Sequence, residues 1–200
     1  MEQSNTWKLK DILMVAITAM LFGVVYLGTV YLGQYLTVLL TPAGYGILGN
    51  EPVFGVWFMA AVFTSYVIQK PGVGVVAEML AALLEVMMGN FYGPIIFVSG
   101  FIQGIGAEIG FGIFGYKKFN YATTMLSAVL CTVLSFLWTG LRYAYWTLDP
   151  KLVISIFVIR LISSIIFCGI GCKLLGDGLS KAGVLKGYAL GRKSLDLDEE

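Results

Sequence analysis

No histidine occurs anywhere in the 200 residues. Its absence excludes HExxH zinc sites, Ser-His-Asp triads and Cys-His nucleophile pairs. Charge is scarce as well. Asp, Glu, Lys and Arg make up 12% of the chain, roughly half the share of about 25% usual in soluble domains. A net charge of +1 offers no strong field for nucleic acid. No GxxxxGK[ST] run is present, so the chain lacks the phosphate loop of an ATPase. Cysteine is limited to Cys131, Cys168 and Cys172. All three lie in apolar segments without a metal-like partner set, and they read as buried, reduced thiols. Neither a bound metal nor a cofactor is expected.

What remains is overwhelmingly apolar: 58% hydrophobic residues and a mean hydropathy of +0.85. The apolar runs are long and do not alternate, unlike the segments of about ten residues that build an outer-membrane barrel. The fold class expected is all-α: a polytopic, multi-pass membrane protein, one domain over 1–200. A span needs about 20 mostly apolar residues. Six are read, at about 12–32, 52–69, 73–88, 93–115, 122–146 and 152–175, followed by a polar tail over 176–200. The first run is too long for a signal-peptide core and reads as a mature helix. Between the first two spans lies a semi-polar connector, 34–51, with Pro42 and several glycines.

Basic residues set the orientation. Lys8, Lys10, Lys70, Lys117, Lys118, Lys173, Lys181, Lys186, Arg192 and Lys193 fall on one side, against at most Arg142 and Lys151 on the other. Both termini are therefore expected in the cytoplasm. The 34–51 connector and the turns at 89–92 and 147–151 face outward. No internal repeat is evident, so the inverted-repeat plan of many secondary transporters is not indicated.

Four ionisable residues fall within the spans: Glu78, Glu85, Glu108 and Arg160. Each costs about 2.5–3.5 kcal/mol at mid-bilayer on insertion scales, so each is a functional candidate facing the bundle interior. At a rise of about 1.5 Å per residue, Glu85 lies roughly 5 Å below the outer end of the third span and Glu78 roughly 15 Å below it, on the same helix face. Gln103 and Arg160 enter from outside to roughly 14 Å. An outer level then holds Glu51, Glu85 and Asn90 with the aromatics Trp57, Phe91 and Tyr92. A middle level holds Glu78, Gln103 and Arg160. A buried ion pair of Arg160 with Glu78 or Glu108 would fix helix packing. Trp138, Tyr143, Tyr145 and Trp146 fit either an interfacial belt or a pocket wall.

Glycine patterns need separate treatment. GFGIFG (110–115) matches G-x-G-x-x-G literally, but it sits inside a span with no preceding strand and is not a dinucleotide site. QGIGAEIGFG (103–112) reads as a helix surface thinned for close packing. Ala16, Ala19 and Gly23 form a small-residue stripe on the first span, suited to internal packing or to docking another membrane subunit.

The ordered blocks EPVFGVWF (51–58), KPG (70–72), EMLAALLEVMMGN (78–90) with GP (93–94), QGIGAE (103–108) and VIRLIS (158–163) resemble the YkoE family. These are substrate-binding S components of energy-coupling factor (ECF) vitamin transporters. The likeness runs from the first span through GVLKGYALG (183–191). It implies six helices in the bacterial plasma membrane, a non-catalytic subunit, and thiamine or its precursor hydroxymethylpyrimidine as cargo. It further implies a transmembrane coupling protein of the EcfT type and two cytoplasmic ATPases as partners. The family docks its coupling protein through an A-x-x-x-A face on the first span. Ala19 and Gly23 keep that spacing, and Ala16 does not.

An aminopyrimidine presents an amine and a ring nitrogen on one edge. Carboxylates accept from the amine, and Asn or Gln can pair with both. The substrate-binding set expected on this basis is Glu51, Glu85, Asn90 and Gln103, with Trp57 and Tyr92 or Trp138 stacking on the ring. Glu78, Glu108 and Arg160 are the structural ion-pair candidates, and the glycine-containing 34–51 connector is the natural lid. The membrane acids also admit a second reading, a stand-alone proton-coupled transporter of a small cationic or heterocyclic solute.

Overall fold

A computed structural model describes residues 6–192, and it is all-helical across them. The LDLDEE terminus and Lys193 lie outside the described residues. The helices are α1 (Leu9–Leu40), α2 (Met59–Ile68), α3 (Val73–Met87), α4 (Ile95–Gly112), α5 (Tyr121–Tyr143), α6 (Pro150–Ser164) and α7 (Cys172–Lys181). A 3₁₀ segment, Glu51–Phe58, runs directly into α2, and a π-helical stretch, Ile165–Gly171, joins α6 to α7 in one continuous rod. Five stretches are long and apolar enough to cross a membrane: Leu9–Ala43, Gly46–Ile68, Ile95–Gly112, Tyr121–Tyr143 and Pro150–Lys181. The chain is thus a multi-pass membrane protein. The third segment expected from sequence, α3, has 15 residues and is only about 22 Å long.

Two boundaries move. The first helix continues through QYLTVLL to Leu40, because nothing in that run breaks a helix before Pro42. The connector therefore shrinks from 34–51 to two short 3₁₀ turns between Thr41 and Leu48. At the other end, residues 176–192 are not a loose polar tail. α7 runs to Lys181, and Leu185 and Leu190 are buried in the core.

Small residues set the helix spacings. An added Cβ on Gly106 would lie 2.8 Å from the Cys131 backbone, and one on Gly110 would lie 2.5 Å from Ser127 Cα. α4 and α5 therefore touch backbone to backbone along the QGIGAEIGFG face. Gly104 meets Val75 in the same way, and Gly100 meets Ala82, which seats α3 on α4. Ala19 is buried, and Gly23 packs on Ala81 and Leu84 of α3. Two members of the small-residue stripe are thus occupied inside the molecule, not presented to a second subunit. Ala16 alone is half-exposed. The outer face of α1 exposes Leu13, Ile17, Met20, Leu21 and Val24.

The end bearing most of the basic residues is laced shut. Lys70 pairs with Asp11 at 2.7 Å, Trp7 Nε1 donates to Pro71 O at 3.1 Å, and Tyr188 Oη donates to Lys10 O at 3.0 Å. Burial pushes the Tyr188 hydroxyl up from its ordinary pKa, with Asp11 adding to the shift, so it stays a donor at neutral pH. All three cysteines are free and buried. Cys168 and Cys172 donate to Phe58 O and Met59 O, at the point where the second span changes from 3₁₀ to α.

Gly106→Val should destabilise the fold by about 1–3 kcal/mol through overpacking against the Cys131 backbone. Gly28→Ala, where an added Cβ meets nothing within 4 Å, should leave stability unchanged or raise it by up to about 1 kcal/mol. Thermal unfolding in detergent separates the two.

Candidate functional site

The end opposite the basic residues opens into a cavity of about 650 Å³. Its rim comes from the end of α1 and the following turns, through Gln34, Thr37, Gly46 and Ile47. The 3₁₀ segment contributes Glu51, Phe54 and Trp57. α3 contributes Glu78, Ala82 and Glu85, and α4 contributes Ser99 and Gln103. Trp138, Arg142 and Tyr143 of α5 complete the wall.

Arg160 is fully buried and meets Glu51 on the 3₁₀ segment packed against α6. Its Nε and Nη2 donate to the two Glu51 oxygens at 2.7 Å each, a bidentate pair. Nη1 donates to Thr139 Oγ1 at 2.9 Å, and the guanidinium lies 3.7 Å from the centre of the Phe54 ring. The pairing expected from depth was with Glu78 or Glu108, and the geometry corrects it. Glu51 opens the 3₁₀ segment, whose Gly55 presses on Ser163 and Ser164, bringing its carboxylate to Arg160. Depth counting along straight helices could not register that displacement.

Glu108 lies away from the cavity. It accepts from Gly72 N at 2.9 Å and Gly74 N at 2.8 Å, and the Tyr116 hydroxyl donates to it. It thereby satisfies the orphan donors at the start of α3, whose N-terminal dipole favours an acid. Glu78 also serves a helix start. Its Oε2 accepts from Ala61 N at 2.8 Å and from Tyr26 Oη at 3.0 Å, while Tyr26 Oη accepts from Ala60 N at 2.9 Å. Ala60 and Ala61 open α2, where the switch from 3₁₀ leaves their N–H groups without carbonyl partners. Glu78 Oε1 has no partner among the described residues.

At the mouth, Asn90 Nδ2 donates to Glu85 Oε1 at 2.6 Å, and Asn90 Oδ1 accepts from Tyr92 N at 2.7 Å. Asn50 Nδ2 donates to Tyr92 Oη at 3.0 Å, tying the base of the rim turns to the loop after α3. Burial holds the Tyr92 hydroxyl above its ordinary pKa. Trp138 Nε1 donates to Ser99 Oγ at 2.9 Å, and the Arg142 guanidinium sits 5.9 Å from the Trp138 ring and 5.2 Å from the Tyr143 ring.

Of the residues expected at the site, Glu51, Trp57, Glu85, Tyr92, Gln103 and Trp138 all line this cavity. Asn90 stands behind Glu85 and holds it. Glu78 and Arg160, named above as structural ion-pair candidates, line it too. Sequence reasoning missed Tyr26, Phe54 and Asn50. Tyr26 carried a usable signal: a hydroxyl halfway along a span must find a buried partner.

Residues 10–134 match the family model described as the permease component of an ABC-type cobalt transport system. The chain is 36% identical over 189 residues to a Bacillus subtilis (strain 168) protein named putative HMP/thiamine permease protein YkoE. That alignment covers 94% of this chain and 92% of the relative. A crystal structure of an ECF-transporter S component superposes with a TM-score of 0.91 at 34% identity, over 97% of this chain and 96% of that one.

Arg160→Met should cost about 3–5 kcal/mol by stranding the buried Glu51 charge. Adding Glu51→Gln should recover much of that loss. A double-mutant cycle by thermal unfolding reads the coupling directly.

Proposed function

The chain belongs to the YkoE family of ECF-transporter S components, and on that premise we propose that it captures hydroxymethylpyrimidine or thiamine from outside the cell. One observation carries the proposal. A cavity of about 650 Å³ is walled by Trp57, Tyr92 and Trp138 and holds two acids, Glu78 and Glu85, that form no ion pair among the described residues. A flat, nitrogen-rich ring with donor groups suits such walls, and a thiazolium cation adds a charge they favour. Gln103 and Glu85 face the ligand's polar edge. Glu51 and Asn90 act from behind, through Arg160 and Glu85.

Cobalt, named in the description of the matching family model, does not suit these donors. The chain has no histidine, and among the described residues no three of His, Cys, Asp and Glu converge. The subunit is non-catalytic in this reading. A transmembrane coupling protein and two ATPases supply the energy that a chain without a phosphate loop cannot. α3, with its loops at either end, serves as a sixth crossing, both termini are cytoplasmic, and the cavity opens outward.

Calorimetric titration of the purified chain should show binding of hydroxymethylpyrimidine or thiamine and none of biotin. Trp57→Ala should weaken that binding by about tenfold to a hundredfold, the usual worth of a stacked ring. Loss of selectivity against biotin would sink the assignment. For the topology, a cysteine placed at Gly44 should react with an impermeant maleimide added to intact cells, and one at Lys186 should not. The reverse pattern would invert the orientation.

A further inference from the structure

Three acids line the cavity, and two of them have their partners. Both Glu51 oxygens are taken by Arg160. Glu85 is held by Asn90, with the Trp57 indole beside it. Glu78 differs. Its side chain is wholly buried, Oε2 takes two donors, and Oε1 takes none, although Glu78 belongs to the cavity lining. Leaving a buried acceptor unmatched costs about 1–3 kcal/mol, more when the group is charged. The arrangement of the satisfied oxygen is stiff: one donor is the backbone of α2, and the other is a tyrosine itself fixed by Ala60 N. The side chain therefore cannot swing its free oxygen elsewhere without breaking the α2 start.

Resting on the function proposed above, we propose that Glu78 Oε1 is the acceptor for a ligand N–H, so that Glu78 selects for an exocyclic amine on the bound heterocycle. Gln103 comes from the helix packed on this turn, where Gly100 lies against the Glu78 carbonyl, and it lines the same cavity. Its amide both donates and accepts, and so matches the ring nitrogen next to such an amine. The same carboxyl thus does two jobs. One oxygen closes a break in the second span, and the other reads the ligand.

Glu78→Gln tests this without removing the structural half of the role. The amide oxygen can still accept from Tyr26 and Ala61, while the NH₂ puts a donor where Glu78 Oε1 offered an acceptor. The assay is calorimetric titration of hydroxymethylpyrimidine, thiamine, and a hydroxymethylpyrimidine analogue with hydrogen in place of the amine. The wild-type chain should bind the parent pyrimidine about 10- to 100-fold more tightly than the des-amino analogue. In Glu78→Gln that preference should disappear, with the unfolding temperature close to wild type. Glu108→Gln, which alters the acid at the α3 start away from the cavity, should lower stability yet keep the preference. If Glu78→Gln retains the full preference for the amine, the inference is overturned while the substrate assignment stands. A wild-type chain that binds none of the three compounds overturns both.

Discussion

The hydrocarbon interior offers no water to an unpaired N–H, so every backbone donor within it must find a protein acceptor. The second span puts that requirement under stress by running as 3₁₀ from Glu51 to Phe58 and as α from Met59 onward. At the junction, Ala60 and Ala61 lose their carbonyl partners, and Tyr26 from α1 and Glu78 from α3 take over. The carbonyls of Phe58 and Met59, the first of α2, also receive thiols from Cys168 and Cys172. One local irregularity thus recruits side chains from three other helices. It also fixes a carboxyl at the floor of the cavity, since only an anchored acid can serve the helix start.

The ion pair between Arg160 and Glu51 follows a similar logic one level further out. Each charge alone would be prohibitive at that depth, and the bidentate geometry with Thr139 and the Phe54 ring satisfies the guanidinium nearly completely. The pair joins the start of the second span to the last rod, beside the cavity that both residues line. Walls that come from several helices are in this way held in register by polar contacts, while the glycine faces of α4 hold their spacing.

Much of this was legible in the sequence. Composition and long apolar runs established a helical membrane protein, and the glycines of 103–112 announced a thin packing face. The membrane acids and nearby aromatics marked the cavity, because a charge in a span needs a reason to be there. Pairings were harder to read. Arg160 was matched by depth to Glu78 or Glu108, but depth along ideal helices ignores the 3₁₀ segment that brings Glu51 to it. The small stripe on α1 was ambiguous for a different reason. Ala19 and Gly23 look alike whether they face α3 or a foreign helix, and only the packing of α3 against them decides. The tail read as polar over 176–200 holds two buried anchors, Leu185 and Leu190, in the stretch AGVLKGYALG, which is too short to count as a span.

The unequal lengths of the helices impose a mechanical condition on the bilayer. α1, at 32 residues, is about 48 Å long, while α3, at 15 residues, is about 22 Å. The hydrocarbon core is about 30 Å thick. Upright, α1 overreaches that core, and α3 is shorter than it. Leaning shortens the projection of α1. A bilayer around so long a helix therefore favours its inclination, and the 32 residues of α1 set how much.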